Sequence, residues 1–347
     1  MLRTSIIALF TSITVFTLSD PSLRAQPMEN AGVYLEHYNN LYKPIQKDMW
    51  DYTSAIAKGK RARVVEKRRQ ELIASLHSTE FSVRRSKGFK GDEALRDVIA
   101  DWMAASQIIL KEDYEKIMDL EDIAEDSYDN MEAYMTAKEL ANEHLNEKSA
   151  VMSGEVERFA KENEIHLIDD DSRLAHKLER ADEVFKYYNK IYLVFFKSFK
   201  QEAYLMAALD ASDLNGIEQN RTTLAEYAAQ GKTDLNGIKN INSDVSVKNA
   251  CRELLDLYLK ESKEYVDAMT SYIMKKEGFD RMQKAFEAKK KSQRTKEDVE
   301  KYNKAVNEMN QSGNEYNDVI NKLNSERSSR IDNWNKSVDH FLSKYAG

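Results

Sequence analysis

A stripe of apolar residues near the C-terminus constrains this chain more than any other feature. Val299, Tyr302, Val306, Met309, Gly313, Tyr316, Ile320 and Leu323, then Ile331, Trp334, Val338, Phe341 and Tyr345, recur every three or four positions. That spacing places them on one side of an α-helix. Its persistence over many turns predicts a long antiparallel bundle helix or coiled-coil arm. Arg327 falls where the seam calls for an apolar side chain. A bend, a solvated gap and a buried charge pair are the three readings open to it. The same periodicity runs through Tyr34, Tyr38, Leu41, Ile45, Met49, Tyr52 and Ile56. It returns in Val184, Tyr188, Ile191, Phe195, Ser198, Glu202, Leu205 and Leu209, where Ser198 and Glu202 are polar members of the stripe.

Breakers are few, with three prolines and eleven glycines in 347 residues, so long helices meet little interruption. No run of alternating β-branched residues lies between turn pairs, and the expected fold class is all-α. Turn signals at Lys58-Gly59, at Ser86 to Asp92, around Glu125 to Asp129, at Asn215-Gly216, at Gly231 and at Asn242 to Asp244 divide each half into about four helices. Asp92 is placed to cap the helix that follows it. The halves also resemble each other. His37 to Tyr42 matches Tyr187 to Tyr192 at an offset of 150, and Asp92 with its helix matches Asp244 with its helix at 152. Val156 to Phe159 pairs more loosely with Val338 to Phe341. The expectation is two tandem antiparallel helical-bundle units with long coiled-coil-like helices: residues 26–168 and 172–347, with Asp169-Asp170-Asp171 in the linker.

The N-terminus reads as an export signal. Met1-Leu2-Arg3 is a short basic start, Ser5 to Leu18 is uncharged, and Ala25 offers a small residue at a cleavage point. Residues 1–25 are thus expected to be removed, since the apolar run is shorter than the roughly 20 residues that span a bilayer. The only cysteine is Cys251, so a lipoprotein anchor and an intramolecular disulfide are both excluded, and stability must come from packing. Cys251 lies in a helical pattern beside Leu254 and Leu255 and reads as a small buried hydrophobe. The expected location is the periplasm or cell surface, with no transmembrane segment after signal removal.

The turn and helix Gly88-Phe89-Lys90-Gly91-Asp92 with Leu95-Arg96-Asp97, the segment Lys111 to Ile117, the closing Phe159 to Ile165, and Tyr38-Asn39 carry a family resemblance. Together they resemble a family of exported all-helical surface or envelope proteins of diderm bacteria, over the first half most closely. The resemblance implies a helical bundle at the envelope and no assigned activity.

Signatures of chemistry are missing where helical bundles usually carry them. None of the six histidines has Glu three residues before it or a His four residues away, so neither a di-iron nor a zinc helix pattern forms. The repeated Asp213-Leu214-Asn215-Gly216-Ile217 and Asp234-Leu235-Asn236-Gly237-Ile238 lack the outer acidic ligands of a calcium loop and read as Asx turns with left-handed glycines. No nucleophile elbow, phosphate-binding loop or dinucleotide fingerprint occurs, and no cofactor is expected. A net charge of -7 argues against nucleic acid as a partner.

One surface is suggestive. Lys58 to Lys90 carries eleven basic residues against three acidic, while Lys111 to Glu132 carries ten acidic against two basic. Lys60, Arg61, Arg63, Lys67, Arg68, Arg69, Arg84 and Arg85 form a candidate patch for an anionic envelope polymer or lipid headgroup. The competing and preferred reading is that basic and acidic helix faces pair within the bundle. The sequence thus points to a non-enzymatic exported scaffold or protein-interaction module with an envelope protein or anionic polymer as partner. A periplasmic small-ligand-binding bundle is the alternative.

Overall fold

The computed structural model describes residues 29–113, 123–167 and 172–347. The signal segment and the Asp169 to Asp171 linker lie outside those residues. Nine long helices follow in order among the described residues: α1 (Ala31–Ala57), α2 (Ala62–Arg85), α3 (Ala94–Ile108), α4 (Tyr128–Glu162), α5 (Arg173–Asp210), α6 (Leu214–Gly237), α7 (Ser246–Lys260), α8 (Val266–Ala288) and α9 (Lys296–Tyr345). Five-residue π-helical turns, Ile109–Asp113 and Glu261–Tyr265, extend α3 and α7. No strand occurs among the described residues, only two isolated β-bridges, so the protein is all-α.

Local chemistry explains where the helices begin and end. Asn30 caps α1 by accepting from the Gly32 and Val33 amides at 2.9 and 3.2 Å. Lys58 closes it, and Gly59 adopts the left-handed conformation at φ 56°. Asp213 caps α6 by accepting from the Gly216 amide at 3.1 Å. This corrects one expectation: Gly216 and Gly237 lie within α6, and neither is left-handed. Gly231 is likewise helical rather than a turn. A β-carbon there would come within 3.0 Å of Val194 and 3.2 Å of Leu255, so close helix approach explains it.

The described residues cluster into two compact units, one made of those up to Lys190 with Val338–Gly347, the other of Ile191–Ser337. The divisions fall inside α5 and α9, each of which is one continuous helix. In the first unit Tyr34, Phe89 and Phe159 form a ring cluster with centroids 5.3 to 5.5 Å apart. Tyr34 and Tyr38 share a buried hydroxyl–hydroxyl hydrogen bond of 2.9 Å. In the second unit Trp334 stacks on Phe195 at 4.6 Å. Cys251 there is fully buried, and burial pushes its thiol well above its ordinary value, as expected of an inert core cysteine.

Two stretches of chain are built alike, displaced by 152 residues. α2 and α6 have 24 residues each, and α3 and α7 have 15 each. The turns before α3 and α7 place two successive residues at positive φ, Lys90 and Gly91 in one and Asn242 and Ser243 in the other. That is the backbone of a type I′ turn, closed by the Phe89–Asp92 and Ile241–Asp244 bridges. Asp92 and Asp244 each accept from the amide two residues on at 2.9 Å. The pairs Glu66–Arg69 and Glu218–Arg221 both close at 2.7 Å. Arg96 and Lys248 each reach a carbonyl just past the preceding helix, Ser86 at 3.4 Å and Ile238 at 2.7 Å. The C-termini of α1 and α5 stand 153 apart.

Candidate functional site: a buried Glu–Arg–Glu cluster

Arg327 resolves to the third of its readings. It stands in the continuous helix α9, and its guanidinium donates to carboxylates on two other helices of the second unit. Nε donates to Glu202 of α5, and one terminal nitrogen donates to Glu261 Oε1 at 3.1 Å. A further hydrogen bond of 2.8 Å runs to Asn324 Oδ1, and Met206 Sδ lies 3.5 Å away. Glu202 is 4% exposed and Glu261 is fully buried. The two polar residues that broke the apolar stripes of α5 and α9 therefore meet. The third member was missed by sequence reasoning, although a signal existed: Val247, Cys251, Leu254, Tyr258, Glu261 and Tyr265 also step by three or four.

The π-helical turn begins at Glu261. Such turns insert one extra residue per turn and re-aim the side chains that follow, and they recur at functional sites. In this one Glu261, Ser262 and Tyr265 are all buried.

The electrostatics follow from one cation facing two carboxyls in a dry interior. Burial raises Glu202 above the ordinary carboxylate range, and Arg327 pulls it back only in part. Burial and then the Glu202 charge push Glu261 up to about 9, against the opposing pull of Arg327. Burial would lower the guanidinium, but the two carboxyls more than offset it and Arg327 is raised. At neutral pH Glu261 therefore holds a proton, and its Oε2 has no hydrogen-bond partner among the described residues. The Tyr258 hydroxyl lies beside the pair.

Ion pairs flank the cluster along α9. Lys260 binds Glu326 at 3.1 Å, and the Tyr265 hydroxyl donates to the same carboxylate at 3.0 Å. Arg330 reaches Glu253 at 2.8 Å. Charges on α9 thus meet charges of α7 and its π-turn at three successive levels. Ladders of this kind set which face and register of a long helix docks. The triad ties α9 to α5 and to the π-turn after α7 by buried charge pairs.

The eight basic residues of the candidate patch differ in burial and pairing. Arg69 is 8% exposed and belongs to the core of the first unit, where it binds Glu66 and donates to the Leu110 carbonyl in the π-turn at 2.5 Å. Arg68 pairs with Glu71 at 2.7 Å, and Lys67 approaches the same carboxylate at 3.6 Å. Arg84 bridges Glu80 and Asp101, both at 2.9 Å, and Arg85 lies over the Phe81 ring. Lys60, Arg61 and Arg63 remain exposed and make no ion pair among the described residues. The acidic partners come from residues 51 to 101; part of the acidic segment 111–132 lies outside the described residues. Replacing Arg69 with Ala should destabilise the first unit by about 2–3 kcal/mol, because it strands a buried carbonyl. Chemical denaturation followed by circular dichroism checks this, and an unchanged midpoint would refute it.

Among the described residues no three His, Cys, Asp or Glu side chains are grouped to hold a metal ion, and no helix is long and apolar enough to cross a membrane. No family model, curated protein or solved structure matches the chain.

Proposed function

We propose that this chain is an exported, non-enzymatic helical protein of the periplasm or cell surface that works as a scaffold or interaction module. One observation carries the reading. From Met274 to Gln311, α8 and the first part of α9 contain no buried residue, yet they stay helical and paired. Rings hold the pair together: Tyr272 stacks on Tyr316 at 4.4 Å, and Tyr302 lies against Phe286 at 4.3 Å and Phe279 at 6.1 Å. Met274, Met282 and Val299 remain 58%, 40% and 40% exposed. A two-helix stretch that keeps apolar side chains in water suits contact with another protein. Photo-crosslinking from positions on this pair in the native cell, followed by partner identification, tests the proposal. Crosslinks to no protein would overturn it.

The matched turns, helix lengths and ion pairs at the 152-residue offset support a tandem duplication of a four-helix unit. The first half is apolar at the positions that match the buried cluster. Met49 corresponds to Glu202, Ile109 to Glu261, and Leu145 to Arg327 when Phe159 is aligned with Phe341. Met49, Ile109 and Leu145 are all buried. The copies have therefore diverged in core chemistry.

The ligand-binding alternative draws on two open grooves of about 370 and 390 Å³ beside α8 and α9. A small ligand held there would raise the melting temperature by mass action. A metabolite panel that leaves Tm unmoved would remove this reading. For the free end of the basic patch, replacing Lys60, Arg61 and Arg63 with Ser should abolish salt-sensitive binding to vesicles of anionic lipid. Binding that survives the substitutions would exclude those residues as the contact.

A further inference from the structure

We infer that the α8–α9 pair is a self-association surface on which a second copy of this chain docks its own α8–α9 pair antiparallel. The two grooves share Met282, Ala305 and Glu308, so they form one trough along the pair. Phe279 and Met309 line its inner half, and Phe286 and Tyr302 its outer half. The trough thus carries apolar side chains along both halves, edged by charged and polar ones, and is open on one side.

Charge identifies the occupant. Residues 281–304, toward the turn between the helices, carry nine basic against four acidic side chains. Residues 266–280 and 305–322, at the inner half, carry six acidic against three basic. The pair is therefore electrically polar along its length. An anionic surface would be met by the outer half and repelled by the inner one. A second copy turned end for end satisfies both halves at once, which is the self-complementarity of an isologous two-fold contact. With the two-fold axis beside Met282 and Ala305, residues equally far from the axis oppose each other. Lys301 of one copy then comes opposite Glu308 of the other, and both line the trough. Both are exposed and make helix-local ion pairs, Lys301 with Glu297 at 2.7 Å and Glu308 with Lys304 at 3.8 Å.

The available area sets the strength. A face about 30 Å long and two helices, roughly 20 Å, wide offers about 600 Å² per copy, at the lower edge of stable interfaces. The dimer should therefore be weak and concentration-dependent. This inference deepens the scaffold reading and rests on it, naming the partner as a second copy. A strictly monomeric chain would overturn the inference, while the scaffold reading would still be judged by its crosslinks to other proteins.

Sedimentation velocity of the purified chain over a range of concentration and salt is the test, with circular dichroism confirming that each variant keeps its helices. The parent should shift from monomer toward dimer as concentration rises, and less so at high salt. Met282→Glu should weaken association about tenfold or more. Lys301→Glu and Glu308→Lys should each weaken association. Mixing those two variants should restore a heterodimer, and combining both substitutions in one chain should restore the homodimer. Three results would overturn the inference: a monomer throughout, a dimer indifferent to Met282→Glu, or charge variants that fail to complement each other while remaining folded.

Discussion

Replacing Arg327 with Met will destabilise the second unit by about 3–5 kcal/mol, the cost of removing one partner from a buried ion cluster. The physical reason lies in what the substitution leaves behind. Glu202 and Glu261 stay buried, and among the described residues neither pairs with another cation. Replacing the cluster whole should behave very differently. The combined variant Glu202→Met/Glu261→Ile/Arg327→Leu installs the residues that the first half carries at the matching positions. It removes both desolvation costs along with the attraction between the groups, and it should be neutral or stabilising. Urea unfolding followed by circular dichroism gives the comparison. If the single and triple substitutions cost the same, the cluster is not a compensated ion triad.

The pH dependence of the second unit should run opposite to that of a surface salt bridge. Glu261 is raised in the folded protein to about 9, from 4.5 in the unfolded chain. Between those values the folded state holds a proton that the unfolded state has released. Its contribution is fully present below about pH 4.5, declines as pH rises, and is lost by the time pH passes the folded value. The slope in that window is about 1.4 kcal/mol per pH unit for one proton. Glu261→Gln removes the titrating group and should flatten the decline, so the gap in stability between variant and parent should widen steadily from mildly acidic to alkaline pH. Elsewhere the signs are ordinary. Asp92 and Glu66 are held below their usual values by hydrogen bonds from Arg158 and Arg69, and they contribute stability that is lost in acid. Comparing Glu261→Gln with the parent across pH isolates the buried term from these. Parallel curves for the two proteins would show that Glu261 is ionised in the folded state.

Charge pairs seen in the structure also decide how the basic N-terminal region is to be used. Five of its eight candidate residues are committed to Glu66, Glu71, Glu80, Asp101 or the Phe81 ring. What remains free is the short run at the start of α2, where positive side chains meet the positive end of a helix and gain nothing locally. Exposed cations so placed are available to an anionic partner.

By itself the sequence determined the helices. Sparse breakers and apolar residues every three or four positions leave one way to bury the stripe, and Lys58-Gly59, Asp92 and Asp213 end or begin helices through chemistry confined to a few neighbouring residues. It also determined that something unusual happens at Glu202 and Arg327, because each interrupts a stripe that is otherwise apolar. Only the tertiary structure decided what the interruptions are. Residues 202, 261 and 327 are separated by 59 and 66 positions, and no local rule links a polar seam residue on one helix to those on two others. Arg69 makes the same point in reverse: its charge reads as surface, but it is drawn inward by a backbone carbonyl of the π-turn, 41 residues away. Periodicity reports which side of a helix is buried, because burial follows local spacing. Which charges meet there depends on how helices far apart in the chain are set against each other.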